Sequence, residues 1–353
     1  MKAILYNKGG RANACVTEAP DPTVGDKDVL IRVYASDICR PADAAHDGGY
    51  SAFGKYPLVP GHEYAGIVEK VGKDVVRFQV GDRVTADANL PCGTCYYCIR
   101  GEVQFCENNR AYGQSLNGGF AQLVAVDESL VYKVPDSVSL RAASMTELVG
   151  CVYNCMERCN FKYGSEVLIL GGGASGNLIA QMVKSSNAAT VVVVDCVASK
   201  LERLKPIGVK TILADKDDPE VHEAVLKEQY PHGFDYIIDT TANPKLISRS
   251  LYLLKRGGTF VNYGFQNNVE VAEQVQIDMK LFVTRQLSYL GTTFQHFKFP
   301  QTLKAMEEKR VDPELAISEI RPLDDFFECM DKVLYDPETV KIVLEPNGSS
   351  EGM

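Results

Sequence analysis

Over roughly the first 150 residues the apolar positions come in short runs. Residues 1–6, 28–35, 64–71, 83–86 and 120–126 are rich in β-branched and aromatic side chains and are bounded by Gly, Pro and Asp turns. That is the pattern of a mostly antiparallel β domain. From about residue 139 the apolar period lengthens to that of a helix reaching Cys159. The middle of the chain reads differently. Residues 167–170 are four consecutive apolar side chains, as a strand buried on both faces requires. Strands and helices then alternate: a helix to about 185, a strand at 191–195, a helix at 200–207 and a strand at 211–213. A helix at 219–230, a strand at 234–239, a helix at 245–254 and a strand at 259–263 continue the series. Such alternation predicts a parallel sheet covered by helices. Beyond residue 300 the pattern mixes again, with helices near 300–308 and 324–335. A last strand at 340–344 is expected to rejoin the first sheet. The fold class expected is α/β. A mostly β domain of residues 1–155, completed by 293–353, holds an inserted domain of residues 156–292, with a cleft between the two.

The turn that follows residues 167–170 carries Gly171, Gly173 and Gly176 in Gly-x-Gly-x-x-Gly spacing. Each glycine has a job in holding a dinucleotide: Gly171 allows the tight turn, Gly173 lets a pyrophosphate approach the backbone, and Gly176 lets helix and strand pack closely. Unpaired N–H groups at the start of the following helix favour the anion. The next strand ends on Asp195, whose carboxylate can accept from both ribose hydroxyls and would repel a 2′-phosphate. A bare glycine-rich turn would mean little, but strand, triplet, helix, strand and acid stand here in register. They point to a dinucleotide, NAD rather than NADP, with Gly171, Gly173, Ser175, Gly176, Asp195 and Lys200 as the cofactor-binding candidates.

Charge and length narrow the partners. A net charge of −9 argues against nucleic acid and anionic membrane surfaces. No stretch approaches the roughly 20 apolar residues that span a bilayer, and the N-terminus lacks a secretory pattern, so a cytoplasmic protein is expected. The polar tail at 347–353 reads as disordered.

Eleven cysteines could mean disulfides, but their spacing suggests metal and reduced thiols. Cys92, Cys95, Cys98 and Cys106 follow a C-x2-C-x2-C-x7-C spacing within a lobe at about 90–110. Four thiolates close a tetrahedral zinc site with no open position, which makes it structural. An iron–sulfur cluster also uses four cysteines, but nothing else in the chain suggests electron transfer. A second set is scattered: Cys39 after an apolar run, His62-Glu63 opening another, and Glu147 among small apolar residues, where a buried carboxylate needs a partner. Cys, His and Glu together suit a catalytic zinc that keeps one position open.

These motifs, together with Gly61 and the Gly81-Asp82-Arg83-Val84 turn, resemble the zinc-dependent medium-chain alcohol and polyol dehydrogenases, nearest the sorbitol dehydrogenase-like branch, over almost the whole length. The resemblance implies a GroES-like catalytic domain around a Rossmann domain, NAD, and two zinc ions per chain. It implies Cys39 and His62 as catalytic zinc ligands, with Glu63 and Glu147 alternating as ligand or water-holder. The partners it implies are a small-molecule alcohol or ketone and further copies of the chain, in a homodimer or homotetramer. In such an enzyme zinc acidifies the alcohol and the cofactor takes the hydride.

One departure stands out. The family usually reads Cys-Gly-Ser/Thr-Asp, and here the residues are Cys39-Arg40-Pro41-Ala42-Asp43. The relay hydroxyl is missing and one residue is added. Asp43 is expected to fill the aspartate role, and His46, Tyr50 or a water held by Glu147 become candidates for moving the proton. Arg40 is either a surface arginine or a contact for an anion. Cys151, Cys155 and Cys159 form one helical stripe and read as small buried thiols. His222 and His232 read as surface residues, and Gln295 and His296 as pocket lining. The expected activity is oxidation of a secondary alcohol of a polyol to the ketone with NAD. The alternatives are a dehydrogenase of an anionic substrate (polyol phosphate, hydroxy acid or threonine-like amino alcohol acid) and a non-catalytic dinucleotide-binding relative.

Overall fold

Asp28–Asp37 is the strand on which the first half of the molecule is assembled. It pairs antiparallel with Tyr64–Val71, with Leu123–Asp127 and with Ile342–Glu345. Arg83–Ala86 and Val131–Lys133 extend the sheet on one side, and Glu319–Pro322 pairs parallel to Ile342–Glu345 on the other. Along Asp28–Asp37 the alternate residues Val29, Ile31 and Val33 are fully buried, with Tyr64, Val68, Val84 and Val124 packed around them. Burying each such side chain stabilises the fold by roughly 1.5–3 kcal/mol. The structure, a computed structural model, describes residues 1–265, 275–295 and 297–353.

The chain divides into two compact units. One comprises Met1–Gly150, Gln295–Lys309 and Ile317–Met353, and the other Cys151–Phe294 with Arg310–Ala316. Among the described residues the second unit holds an all-parallel six-stranded sheet in the order Lys210–Leu213, Thr190–Asp195, Glu166–Leu170, Phe234–Asp239, Leu254–Asn262 and Ser288–Gly291. Its central strands are buried on both faces, which is why they read as continuous apolar runs. Arg310–Ala316 joins this unit through Gln181, whose amide accepts from the Asp312 N–H at 2.6 Å and donates to the Asp312 carbonyl at 2.9 Å.

Several expectations need correcting. The single helix expected to reach Cys159 is two, Leu140–Ser144 and Thr146–Cys159. The Ser139 hydroxyl caps the first, and Thr146 Oγ1 donates to the Ala143 carbonyl at the join. The tail is ordered. Asn347 Nδ2 donates to the carbonyls of Val33 and Gln122, Ser350 is buried, and the Met353 carbonyl accepts from the Leu140 N–H. Polar composition hid these partners, because they lie far away in sequence. His222 is buried, not a surface residue, because its helix turns it inward together with Glu223 and Leu226. Among the described residues no helix is long and apolar enough to cross a membrane.

Candidate metal and dinucleotide sites

Strand register in the first unit brings three distant segments to one end of the sheet. Tyr64 pairs with Ser36, so Glu63 lies beside the end of Asp28–Asp37, and its carbonyl accepts from the Asp37 N–H at 2.9 Å and the Ser36 hydroxyl at 3.0 Å. Val343 pairs with Asp37, and the Ile38 N–H reaches the Ile342 carbonyl, which brings Lys341 to the same end. Gly61 makes the turn before His62 at φ 93°, where a Cβ would lie 2.7 Å from the Phe120 amide. Only glycine fits both demands.

The sulfur of Cys39, a ring nitrogen of His62 and a carboxylate oxygen of Glu63 all lie within 4.8 Å of one another. His62 and Glu63 are buried and Cys39 keeps a partial opening. His62 Nδ1 and Glu63 Oε1 are buried with no hydrogen-bond partner, an expensive arrangement unless something binds them. Desolvation and then the Glu63 carboxylate push the Cys39 thiol well above its usual range, with Asp43 and Glu147 adding to the effect. A thiolate there needs a cation to stabilise it. The donor set of thiol, imidazole and carboxylate fits zinc with an exchangeable position.

Asp43 Oδ2 accepts from the Cys39 N–H at 2.8 Å, which fixes the turn into the helix Arg40–Asp47. Burial lifts its carboxyl to about 6, against His62 and the Cys39 N–H, which pull it down. Glu147 sits buried in the first turn of Thr146–Cys159 and lies outside the tight set, acting on Cys39 through its charge. His46 is buried with both ring nitrogens engaged, Nδ1 with the Tyr56 hydroxyl at 2.9 Å and Nε2 with Gln114 Oε1 at 3.0 Å. Since Oε1 can only accept, Nε2 carries the proton and Nδ1 accepts from Tyr56. Tyr50 is exposed. Arg40 donates to the Leu334 carbonyl near the C-terminal end of the helix Phe326–Tyr335, where a cation is favoured. Gln295 is buried, and His296 lies outside the described residues.

Lys341 was missed in the sequence. It is buried with its ammonium on Glu63 Oε2, and burial, which works against the charge, is outweighed by Glu63 and then Asp37. Asp37 is buried too, accepting from the Ser144 hydroxyl at 3.1 Å. The available signal was a lysine set directly against the apolar run Ile342-Val343-Leu344.

Cys92, Cys95, Cys98 and Cys106 converge with all sulfurs within 4.8 Å and with none in a disulfide. The Cys92–Cys98 and Cys95–Cys106 sulfurs are 4.0 Å apart. Four sulfurs around a tetrahedral zinc at about 2.3 Å would be spaced by roughly 3.8 Å, so the lobe fits such an ion. Backbone N–H groups, first Thr94 and then Cys95, aim at the Cys92 sulfur and hold its thiol down to about 5.

In the second unit the glycine turn sits between the strand Glu166–Leu170 and the helix Ala174–Lys184. A Cβ on Gly176 would lie 1.9 Å from the Gly171 carbonyl oxygen, whereas one on Gly173 would meet nothing within 4 Å. The helix start is therefore packed from behind and open in front, as a pyrophosphate requires. Asp195 Oδ2 accepts from the Gly172 N–H at 2.6 Å, and Oδ1 from the Val197 N–H at 2.8 Å. Lys200 stands across from the same turn, its Cβ 3.5 Å from where a Gly172 Cβ would be, and Ser175 lies in the first turn of the helix.

Two family models match: an alcohol dehydrogenase GroES-like domain over residues 25–136 and a zinc-binding dehydrogenase domain over residues 174–308. The chain is 31% identical to the D-altritol 5-dehydrogenase of Agrobacterium fabrum, over 97% of this chain and 98% of that protein. It is 29% identical to D-arabinitol dehydrogenase 1 of Uromyces fabae, over 98% and 97%. A zinc-binding dehydrogenase structure from Sinorhizobium meliloti, bound to NADP, superposes with a TM-score of 0.88 at 27% identity, covering 98% of this chain and 99% of that one.

Proposed function

The chain belongs to the zinc-dependent medium-chain alcohol and polyol dehydrogenases, and we propose that it oxidises a secondary hydroxyl of a polyol to the ketone with NAD as hydride acceptor. The observation that carries this reading is the meeting of Cys39, His62 and Glu63 at one strand end, with Glu63 Oε1 buried there and otherwise unsatisfied. In this reading those three residues hold a catalytic zinc with Glu147 nearby, and Cys92, Cys95, Cys98 and Cys106 hold a structural one. Zinc in the first site supplies Lewis acidity that makes a bound alcohol easier to deprotonate.

The residues around it do the rest. Asp43 fixes the backbone of Cys39, and Gly61 sets the angle at which His62 and Glu63 enter. The glycine turn and Asp195 hold the dinucleotide. Asp195 is the reason to favour NAD, since a 2′-phosphate would bring a like charge against it. Arg40, the one feature in favour of an anionic substrate, is engaged with the Leu334 carbonyl.

The test is a panel of D-arabinitol, D-altritol and sorbitol against ethanol, threonine and a polyol phosphate, each with NAD and with NADP, on zinc-replete enzyme. Free polyols with NAD should give the highest kcat/KM. A preference for simple primary alkanols would defeat the reading, and a preference for the phosphate would move the assignment to anionic substrates.

A further inference from the structure

The buried surroundings of Glu63 hold more charge than a zinc ligand set needs. Its two carboxylate oxygens have different fates. Oε2 takes the Lys341 ammonium, while Oε1 is buried, unpartnered and 3.8 Å from His62 Nε2. Lys341, 4% exposed, has Glu63, Asp37 and Cys39 as its titratable neighbours. The backbone fixes this arrangement, because Lys341 directly precedes the strand that pairs with Asp37 and Glu63 directly precedes the strand that pairs with Ser36.

We propose that Lys341 is a positioning residue that divides the Glu63 carboxylate, holding Oε2 so that Oε1 alone is left for the metal and Glu63 remains a weak, exchangeable ligand. The proposal rests on the reading of Cys39, His62 and Glu63 as a zinc site. A carboxylate with both oxygens free binds a hard or borderline cation firmly and competes with substrate for the fourth position. One already shared with an ammonium donates less charge and lets go more readily. The ammonium, held on the same carboxylate, would also weaken the hold on a cation by repulsion. Both effects predict the same sign: without Lys341 the site should grip its metal harder and turn over more slowly. A lysine whose only role was to fill space or balance charge for folding would give the opposite sign, because its loss would loosen the site.

The test compares the full-length enzyme with Lys341→Met, Lys341→Arg, Glu63→Gln and the Glu63→Gln/Lys341→Met double variant. Three quantities are read: the rate at which a chelator removes the metal of the Cys39 site, the visible spectrum after cobalt(II) replaces that metal, and kcat with KM. For Lys341→Met the expected result is at least tenfold slower metal release, a cobalt spectrum shifted toward an added oxygen ligand, and kcat reduced more than KM is changed. Lys341→Arg should stay within a few-fold of the parent. The double variant removes the unpaired buried carboxylate, so it should fold and release metal at the rate of Glu63→Gln alone. Metal release in Lys341→Met as fast as in the parent, or faster, with an unchanged cobalt spectrum, overturns the proposal. If the parent enzyme itself holds only the four-cysteine metal, the zinc-site reading fails instead, and metal analysis distinguishes the two failures.

Discussion

The carboxylate of Asp195 and the amide of Gly172 are joined by a 2.6 Å hydrogen bond, so the acid at the end of one strand holds the turn at the end of its neighbour. Its other oxygen steadies the Val197 amide. Each carboxylate oxygen has a second lone pair, so both remain able to accept from ribose hydroxyls. Asp195→Ala should therefore do two things at once. NAD should bind at least tenfold more weakly while NADP changes little, and the fold should lose about 1–3 kcal/mol from the unsatisfied turn amides. Asp195→Asn, which keeps one acceptor, should lose less of both. Measuring kcat/KM for the two cofactors alongside thermal unfolding checks this, and equal kcat/KM in the unmodified enzyme would contradict the assignment.

The two proposed metal sites should answer differently to substitution. Cys39→Ser or His62→Ala should take the metal content from two ions per chain to one and abolish turnover, while the melting curve changes little. Cys95→Ser removes one of four converging thiolates, and structural zinc contributes on the order of 10 kcal/mol in small sites, so this variant should melt markedly earlier. Metal analysis with calorimetry separates the cases. A Cys39 variant with near-normal turnover would end the catalytic assignment.

What the sequence made legible follows from the range of the interactions involved. The glycine turn and Asp195 are set by neighbours within one β-α-β passage, and the four cysteines span fifteen positions, so local spacing carried both. The strand at 64–71 was placed at its observed limits because both its ends are marked by changes in polarity. Ala14–Glu18 and Ser288–Gly291 were missed, since edge strands with mixed exposure lack a clear period. Lys341 against Glu63 spans 278 positions and depends on strand register, which no local pattern encodes. The same holds for Asn347.

His222 gives a pH dependence of definite sign. Burial lowers its pKa below the ordinary 6.5, and Arg249 acts in the same direction, against Glu223, Asp215 and Asp218, which favour the charged form. The unfolded chain thus binds a proton that the folded chain resists. Between the ordinary value and the lowered one the unfolded state carries more protons, so stability must fall as the pH drops through that window. A His222→Gln variant lacks this proton and should lose less stability between pH 7 and pH 5 than the parent. Melting temperatures of both proteins across that range test the point, and parallel curves would show that His222 does not contribute.

Asn347 supplies the last expectation. Its Nδ2 donates to the Val33 carbonyl at 2.7 Å and to the Gln122 carbonyl at 2.8 Å, and its Oδ1 accepts from Arg32 at 3.3 Å. One amide therefore bridges the central strand Asp28–Asp37 and the residue leading into Leu123–Asp127, whose carbonyl also accepts from the Val33 N–H at 3.0 Å. Further along, Ser350 donates twice to Glu345 Oε1, the oxygen that also receives Arg141. Replacing Asn347 by Ala removes the side-chain donor to the Val33 carbonyl and the second donor to the Gln122 carbonyl, at a cost of about 1–3 kcal/mol. Ser349 is exposed beside it, and Ser349→Ala should change stability by no more than roughly 0.5 kcal/mol, as surface substitutions do. Denaturant midpoints for the two variants test the difference. If Asn347→Ala unfolds at the parent's midpoint, the tail adds nothing to the sheet, and the polar reading of these seven residues as disordered was the better one.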